Sequence, residues 1–250
     1  MPRKREHVFE SPIGESAADA RRRALAIMRA LGKAHPDAHI PLVFSNPLEL
    51  LVATILSAQC TDAKVNEVTA VLFRKYRSAA DWASADLATL EDEVHPTGFF
   101  RSKARSIKEA TRDLVDRHGG GVPDTMEELT ALRGIGRKSA NVLLAHVFDK
   151  PGIIVDTHFT RLSRRMGFTG QFDPVRIERD LMAVVPRKHW SRFSLMLNWH
   201  GRVTCYARKP DCEGCAVRRR CPAAASTGQI TWKVKVPGKK NGKASAKTKR

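Results

Sequence analysis

The run Leu132-Arg133-Gly134-Ile135-Gly136-Arg137-Lys138 decides how this chain is read. It joins two segments of helical periodicity, one ending near Leu132 and one running from Arg137 to about Phe148. Glycines between helices permit positive φ and leave the backbone bare enough for a phosphate to approach. The helix that follows points its free N–H groups and the positive end of its dipole at such a phosphate. Ile135 is placed to pack between the two helices. Lys138 falls in the first turn of the second helix, where a cation is disfavoured. An ordinary lysine, with a pKa of about 10.4, is almost wholly protonated at neutral pH. The dipole, the neighbouring Arg137 and partial burial would each favour the neutral amine, so the position suits a nucleophile. The plain alternative is a surface lysine.

Outward from this hairpin the chain is a run of helices, and the expected fold class is all-α. Apolar residues at helical spacing mark segments beginning near Ala17, Pro47, Asp62, Leu87 and Ser102. Gly119-Gly120-Gly121 suits a left-handed helix end. Asp124 and Glu127 form a capping-box-like pair before the short helix to Leu132. Ile153-Ile154-Val155 is β-prone but isolated, and reads as a buried connector. Helices follow at about 157–166, 174–184 and 190–201. The division expected is a flexible basic arm (1–16), a six-helix unit carrying the hairpin (40–150), a second unit from 17–39 plus 151–230, and a disordered basic tail (231–250).

The formal net charge of +18 favours a polyanionic partner: DNA, RNA or an acidic membrane surface. No apolar run approaches the ~20 residues of a membrane helix. Met1-Pro2-Arg3-Lys4-Arg5-Glu6 has no apolar segment behind it, so a secretory signal is not expected. In a reducing compartment, clustered cysteines point to metal ligation rather than disulfides.

Four of the five cysteines are so clustered, in the pattern Cys205-x6-Cys212-x2-Cys215-x5-Cys221. A CxxC pair supplies two corners of one site, and four thiolates suit either zinc or a [4Fe–4S] cluster. On the residues alone, zinc is the commoner choice. Cys60, far upstream, reads as a small apolar residue in a helix. The basic loop between the first two ligands presents Arg208 and Lys209 for phosphate contacts.

The stretch Leu132–Val142, the segment Val155-Asp156-Thr157-His158 and the cysteine spacing, in this order, resemble the helix–hairpin–helix, catalytic segment and cluster motif of the endonuclease III family of DNA glycosylases. The similarity spans about residues 40–222. It implies two helical lobes with a helix–hairpin–helix and a [4Fe–4S] cluster loop, which reverses the preference for zinc. It implies a bifunctional glycosylase and abasic-site lyase acting on oxidised pyrimidines in double-stranded damaged DNA. Lys138 would be the Schiff-base lysine and Asp156 the catalytic carboxylate. Read from its neighbours alone, Asp156 is a helix N-cap, and both roles are compatible.

The resemblance also assigns Gln59 to the gap left by an everted nucleotide and Phe99 to a wedge against the orphaned base. DNA contacts are expected from Gly134, Ile135, Gly136, Arg137 and His158. Two departures stand out: Arg133 where the family usually has proline, and Phe99 where it often has leucine. Because Phe99 and Phe100 are consecutive, one of them is expected to be exposed. The protein is expected to be a cytoplasmic, nucleoid-associated bacterial monomer without a membrane partner. Rival readings are a monofunctional glycosylase, which Lys138 opposes, a non-catalytic DNA-binding module, and an electron carrier, which would not need such a charge.

Overall fold

The computed structural model describes residues 9–231, and among these every regular element is helical. The α-helices are α1 (Ala17–Ala34), α2 (Pro47–Leu56), α3 (Asp62–Lys75), α4 (Ala79–Ser84), α5 (Leu87–Val94), α6 (Phe100–His118), α7 (Met126–Ala131), α8 (Arg137–Val147), α9 (Thr157–Arg165), α10 (Pro174–Val184) and α11 (Trp190–Val203). Residues 153–155 form an extended connector with Ile153 fully buried.

Buried apolar side chains separate into two clusters. The first belongs to α2–α8 and centres on α2, where every residue from Leu50 to Leu56 is buried. Pro47 opens α2, and Asn46 caps it by accepting the Glu49 amide at 3.0 Å. Each large side chain so buried is worth about 1.5–3 kcal/mol, against ~1 kcal/mol for a cap. Packing therefore holds α2 at the centre. The second cluster joins α1, α9, α10, α11 and the cysteine loop. There Phe193 meets Phe159 and Phe168 edge-on, with ring centroids 6.2 and 5.9 Å apart.

Three expectations need correction. Residues 40–150 hold seven α-helices rather than six. The addition is α4, begun by a capping box between Ser78 and Asp81 and anchored by the buried Trp82 against Tyr76. The cap of α7 is Thr125, with Glu128 returning to its hydroxyl, one residue later than the Asp124–Glu127 pair. Asp124 instead binds Lys150 through its carboxylate and its carbonyl, both at 2.6 Å. Residues 9–16 are no free arm. Phe9 packs on the second cluster, Ile13 meets Gly167, and Glu15 pairs with Arg23. The rest of the expected arm (1–8) and nearly all of the expected tail (232–250) lie outside the described residues.

Candidate functional site

The hairpin is fixed from beneath. Ile135 is buried in the first cluster. Gly134 takes φ +83°, and a Cβ there would lie 2.9 Å from the Ser106 Cβ, so only glycine fits. Gly136 is the N-cap of α8 with an extended backbone, open space around it and no side-chain cap. Its helix end therefore presents bare N–H groups. Arg133, in place of the family's proline, pairs with Glu109 of α6 at 2.9 Å across an exposed surface. Arg137 stands half exposed at the start of α8, with its guanidinium forked onto the buried Glu178 of α10.

Lys138 is exposed rather than partly buried, but it is not stranded in solvent. It lines an open cleft together with Asp156, and the walls come from both clusters. Asp156 caps α9, accepting the Phe159 amide at 2.7 Å with one oxygen. Its other oxygen accepts from the Asn198 side-chain amide. Asn198 in turn accepts from Arg202 at 2.9 Å, and Arg202 reaches Asp62 of α3 at 2.6 Å. A polar chain thus runs from the carboxylate of one lobe to that of the other. Sequence reasoning missed Asn198 and Arg202 and took Asp62 only for the start of a helix. The available signal was their spacing, four residues apart on one face of α11. His146 also lines the cleft, its pKa lowered by burial.

Gln59 and Phe99 are both exposed and both left-handed, at φ 52° and 50°. Such conformations cost a non-glycine residue about 1–3 kcal/mol and cluster at functional loops. Phe100 packs on the first cluster, so the two phenylalanines divide as expected. Cys60 lies in the turn beside Gln59, half-buried against the first cluster, and not in a helix. Beneath the Phe99 loop, the buried Lys103 donates to the Thr97 carbonyl at 2.7 Å. His158 is half-buried, its Cβ close to Gly201 of α11 and its Nδ1 3.1 Å from Arg161, which suits support more than phosphate contact.

Cys205, Cys212, Cys215 and Cys221 line one cavity. No group of three His, Cys, Asp or Glu side chains among the described residues converges as a single-ion site would. Four cysteine sulfurs on one cavity are a donor set of the kind a metal centre takes. Burial raises the free thiols of Cys212, Cys215 and Cys221, the last to about 11, so these positions favour neutral thiols until a cation arrives. The loop is also held by protein. Arg161 donates to the Cys205 carbonyl at 3.0 Å, and Arg165 donates to those of Tyr206 and Ala207 at 2.7 and 2.9 Å. Arg208 and Lys209 stand exposed on it.

Among the described residues no helix is long and apolar enough to cross a membrane. Endonuclease III of Synechocystis is 48% identical over 218 residues, covering 87% of this chain and all of that protein. A solved non-covalent endonuclease III–DNA complex superposes with a TM-score of 0.78 at 39% identity, covering 82% of this chain and 97% of that one. A trapped endonuclease III–DNA covalent intermediate with an estranged adenine gives the same values. Residues 52–187 match the HhH-GPD superfamily of base excision DNA repair proteins, and the chain belongs to its endonuclease III family.

Proposed function

We propose that this chain removes oxidised pyrimidines from duplex DNA and nicks the abasic site it creates, with Lys138 as nucleophile and Asp156 as its carboxylate partner. The observation that carries the reading is one cleft between two helical lobes, lined by both residues. The glycosylase and lyase class is that of the family, and DNA is the partner.

C1′ of a stacked nucleotide is out of reach, so the nucleotide must leave the duplex, at a cost of roughly a few kcal/mol. Gln59 and Phe99, exposed on strained loops, would hold the gap open. The bare N–H groups at Gly136 and the loop of Arg208 and Lys209 would grip phosphates on either side. The Lys138 amine attacks C1′ through its nitrogen lone pair, and the base departs with the C1′–N electron pair and a proton. Asp156, held by two donors, stabilises the cationic sugar. The C1′–O4′ bond of the aminosugar then opens, with O4′ taking a proton, to leave a protonated imine; this acidifies the 2′ hydrogen, and loss of that proton expels the 3′ phosphate by β-elimination. Cys205, Cys212, Cys215 and Cys221 would hold a [4Fe–4S] cluster, which would cross-link the second lobe and its basic loop. We read the protein as a bacterial, nucleoid-associated, cytoplasmic monomer.

The test is borohydride reduction during reaction with a thymine-glycol duplex. The expected result is a covalent protein–DNA adduct and a nicked strand from wild type, and neither from Lys138→Ala. Base release without an adduct would instead indicate a monofunctional glycosylase.

A further inference from the structure

Glu178 takes no part in the chemistry above, yet its carboxylate is among the most buried charges in the described chain, at 2% exposure. It accepts both Nε and Nη2 of Arg137, the latter at 3.0 Å, and the Asn141 amide at 3.2 Å. That amide also donates to the Ile153 carbonyl at 3.0 Å. At Gly152 a Cβ would lie 2.6 Å from the Asn141 Oδ1, so the connector is pressed against this side chain. Glu178 of α10 thus holds the first turns of α8 directly and the connector through Asn141. Arg137 immediately precedes Lys138, and Ile153 lies three residues before Asp156.

A buried carboxylate met by a half-exposed guanidinium is a poor way to gain stability, because screening weakens the pair and well-packed apolar residues usually do as well or better. What it adds is direction. A forked guanidinium–carboxylate pair fixes orientation as well as distance. We propose that Glu178 is a positioning residue that, through Arg137 and Asn141, sets the Lys138 amine against Asp156. This rests on the reading of Lys138 as nucleophile.

The experiment measures borohydride trapping on an abasic-site duplex under single turnover, for wild type, Glu178→Gln and the paired variant Arg137→Met/Glu178→Leu. The Glu178→Gln change would turn an amide donor toward the Arg137 donors and break the fork. The apolar pair removes the fork without leaving an unpaired buried charge, so it separates geometry from folding. Each protein is characterised by its maximal rate, its half-saturating concentration and its melting temperature. The expected result is a maximal rate lower by roughly tenfold or more in both variants, the scale set by misplacing reacting groups by about 1 Å. The half-saturating concentration should stay within about threefold, and the paired variant should melt near wild type.

A paired variant that regains the wild-type maximal rate together with its melting temperature overturns the proposal, since the pair is then only structural. Wild-type rates in both variants overturn it too. If Glu178→Gln does not fold, the paired variant decides alone. Wild type giving no adduct removes the Lys138 reading and this proposal with it, an outcome distinct from trapping that is indifferent to Glu178.

Discussion

Asn198 donates its side-chain amide to the Asp156 carboxylate, whose other oxygen accepts the Phe159 amide. The carboxylate that shares the cleft with Lys138 is thus oriented by two donors from two helices, α9 and α11. Removing one donor frees it to rotate, because a single N-cap bond leaves the second oxygen unrestrained. Asn198→Leu should lower the single-turnover rate roughly 10- to 100-fold, the range for one preorganised hydrogen bond or a modest loss of alignment. Duplex affinity should change little. Equal losses in rate and affinity would show that Asn198 acts on binding.

Gly134→Ala meets two obstacles at once, a φ of +83° and the Ser106 side chain 2.9 Å from the new methyl group. The positive φ alone is worth about 1–3 kcal/mol. With the hairpin gripping phosphate as proposed, the loss should appear in DNA affinity as well as in melting temperature. Gly136→Ala is the control. Its φ of −90° and open surroundings make alanine conformationally tolerable, so it should melt near wild type and lose only phosphate contact. Two variants indistinguishable in melting temperature would contradict this account of the turn.

What the sequence made legible is what local patterning controls. The helical periodicities, the left-handed end at Gly119 and the exposed Phe99 beside a packed Phe100 are all set by neighbours within a few residues. The helix α4 escaped because six residues are too few to show a period and its Ser78–Asp81 capping box went unread, whereas α7, equally short, was found from its acidic cap spacing. Asp124-x-x-Glu127 and Thr125-x-x-Glu128 carry the same spacing, and only the tertiary pairing of Asp124 with Lys150 decides between them. The Arg137–Glu178 fork was invisible for a similar reason, since nothing near Arg137 reveals a carboxylate on α10. Lys138 and Asp156 were legible as residue types, but their shared cleft depends on how two lobes close.

The cysteine cavity makes a compositional prediction. Purified protein should be brown, with about four irons per chain. Cys221→Ser should lose iron and destabilise the second lobe, since Cys205, Cys215 and Cys221 pack against that lobe's core. Cys60→Ser should retain full iron, because Cys60 belongs to the other cluster and does not line this cavity. Colourless wild type with one zinc per chain would refute the cofactor assignment, and iron loss in Cys60→Ser would refute the ligand set.

Lys103 offers a pH test of the loop beneath Phe99. The side chain is 4% exposed, its ammonium donates to the Thr97 carbonyl, and burial lowers its pKa from the ordinary 10.5. Between the lowered folded value and 10.5 the unfolded chain binds more protons than the folded one. Stability contributed by this group therefore rises with pH across that window. Below the folded value the full penalty of burying an ammonium is present, and as pH climbs through it the penalty is relieved. Lys103→Met removes both the penalty and the titration. The difference in unfolding free energy, wild type minus variant, should increase as pH rises toward 10.5, read from urea melts at a series of pH values. Alkaline groups that do not act on Lys103 cancel in that difference; Cys60, which does, is kept out by making both measurements in a Cys60→Ser background. If the variant also frees the Thr97 carbonyl, Phe99 loses its fixed left-handed turn, and duplex discrimination by opposite base should weaken at every pH. A difference curve that is flat would mean that this lysine titrates alike in folded and unfolded chains and does not brace the loop as a buried charge.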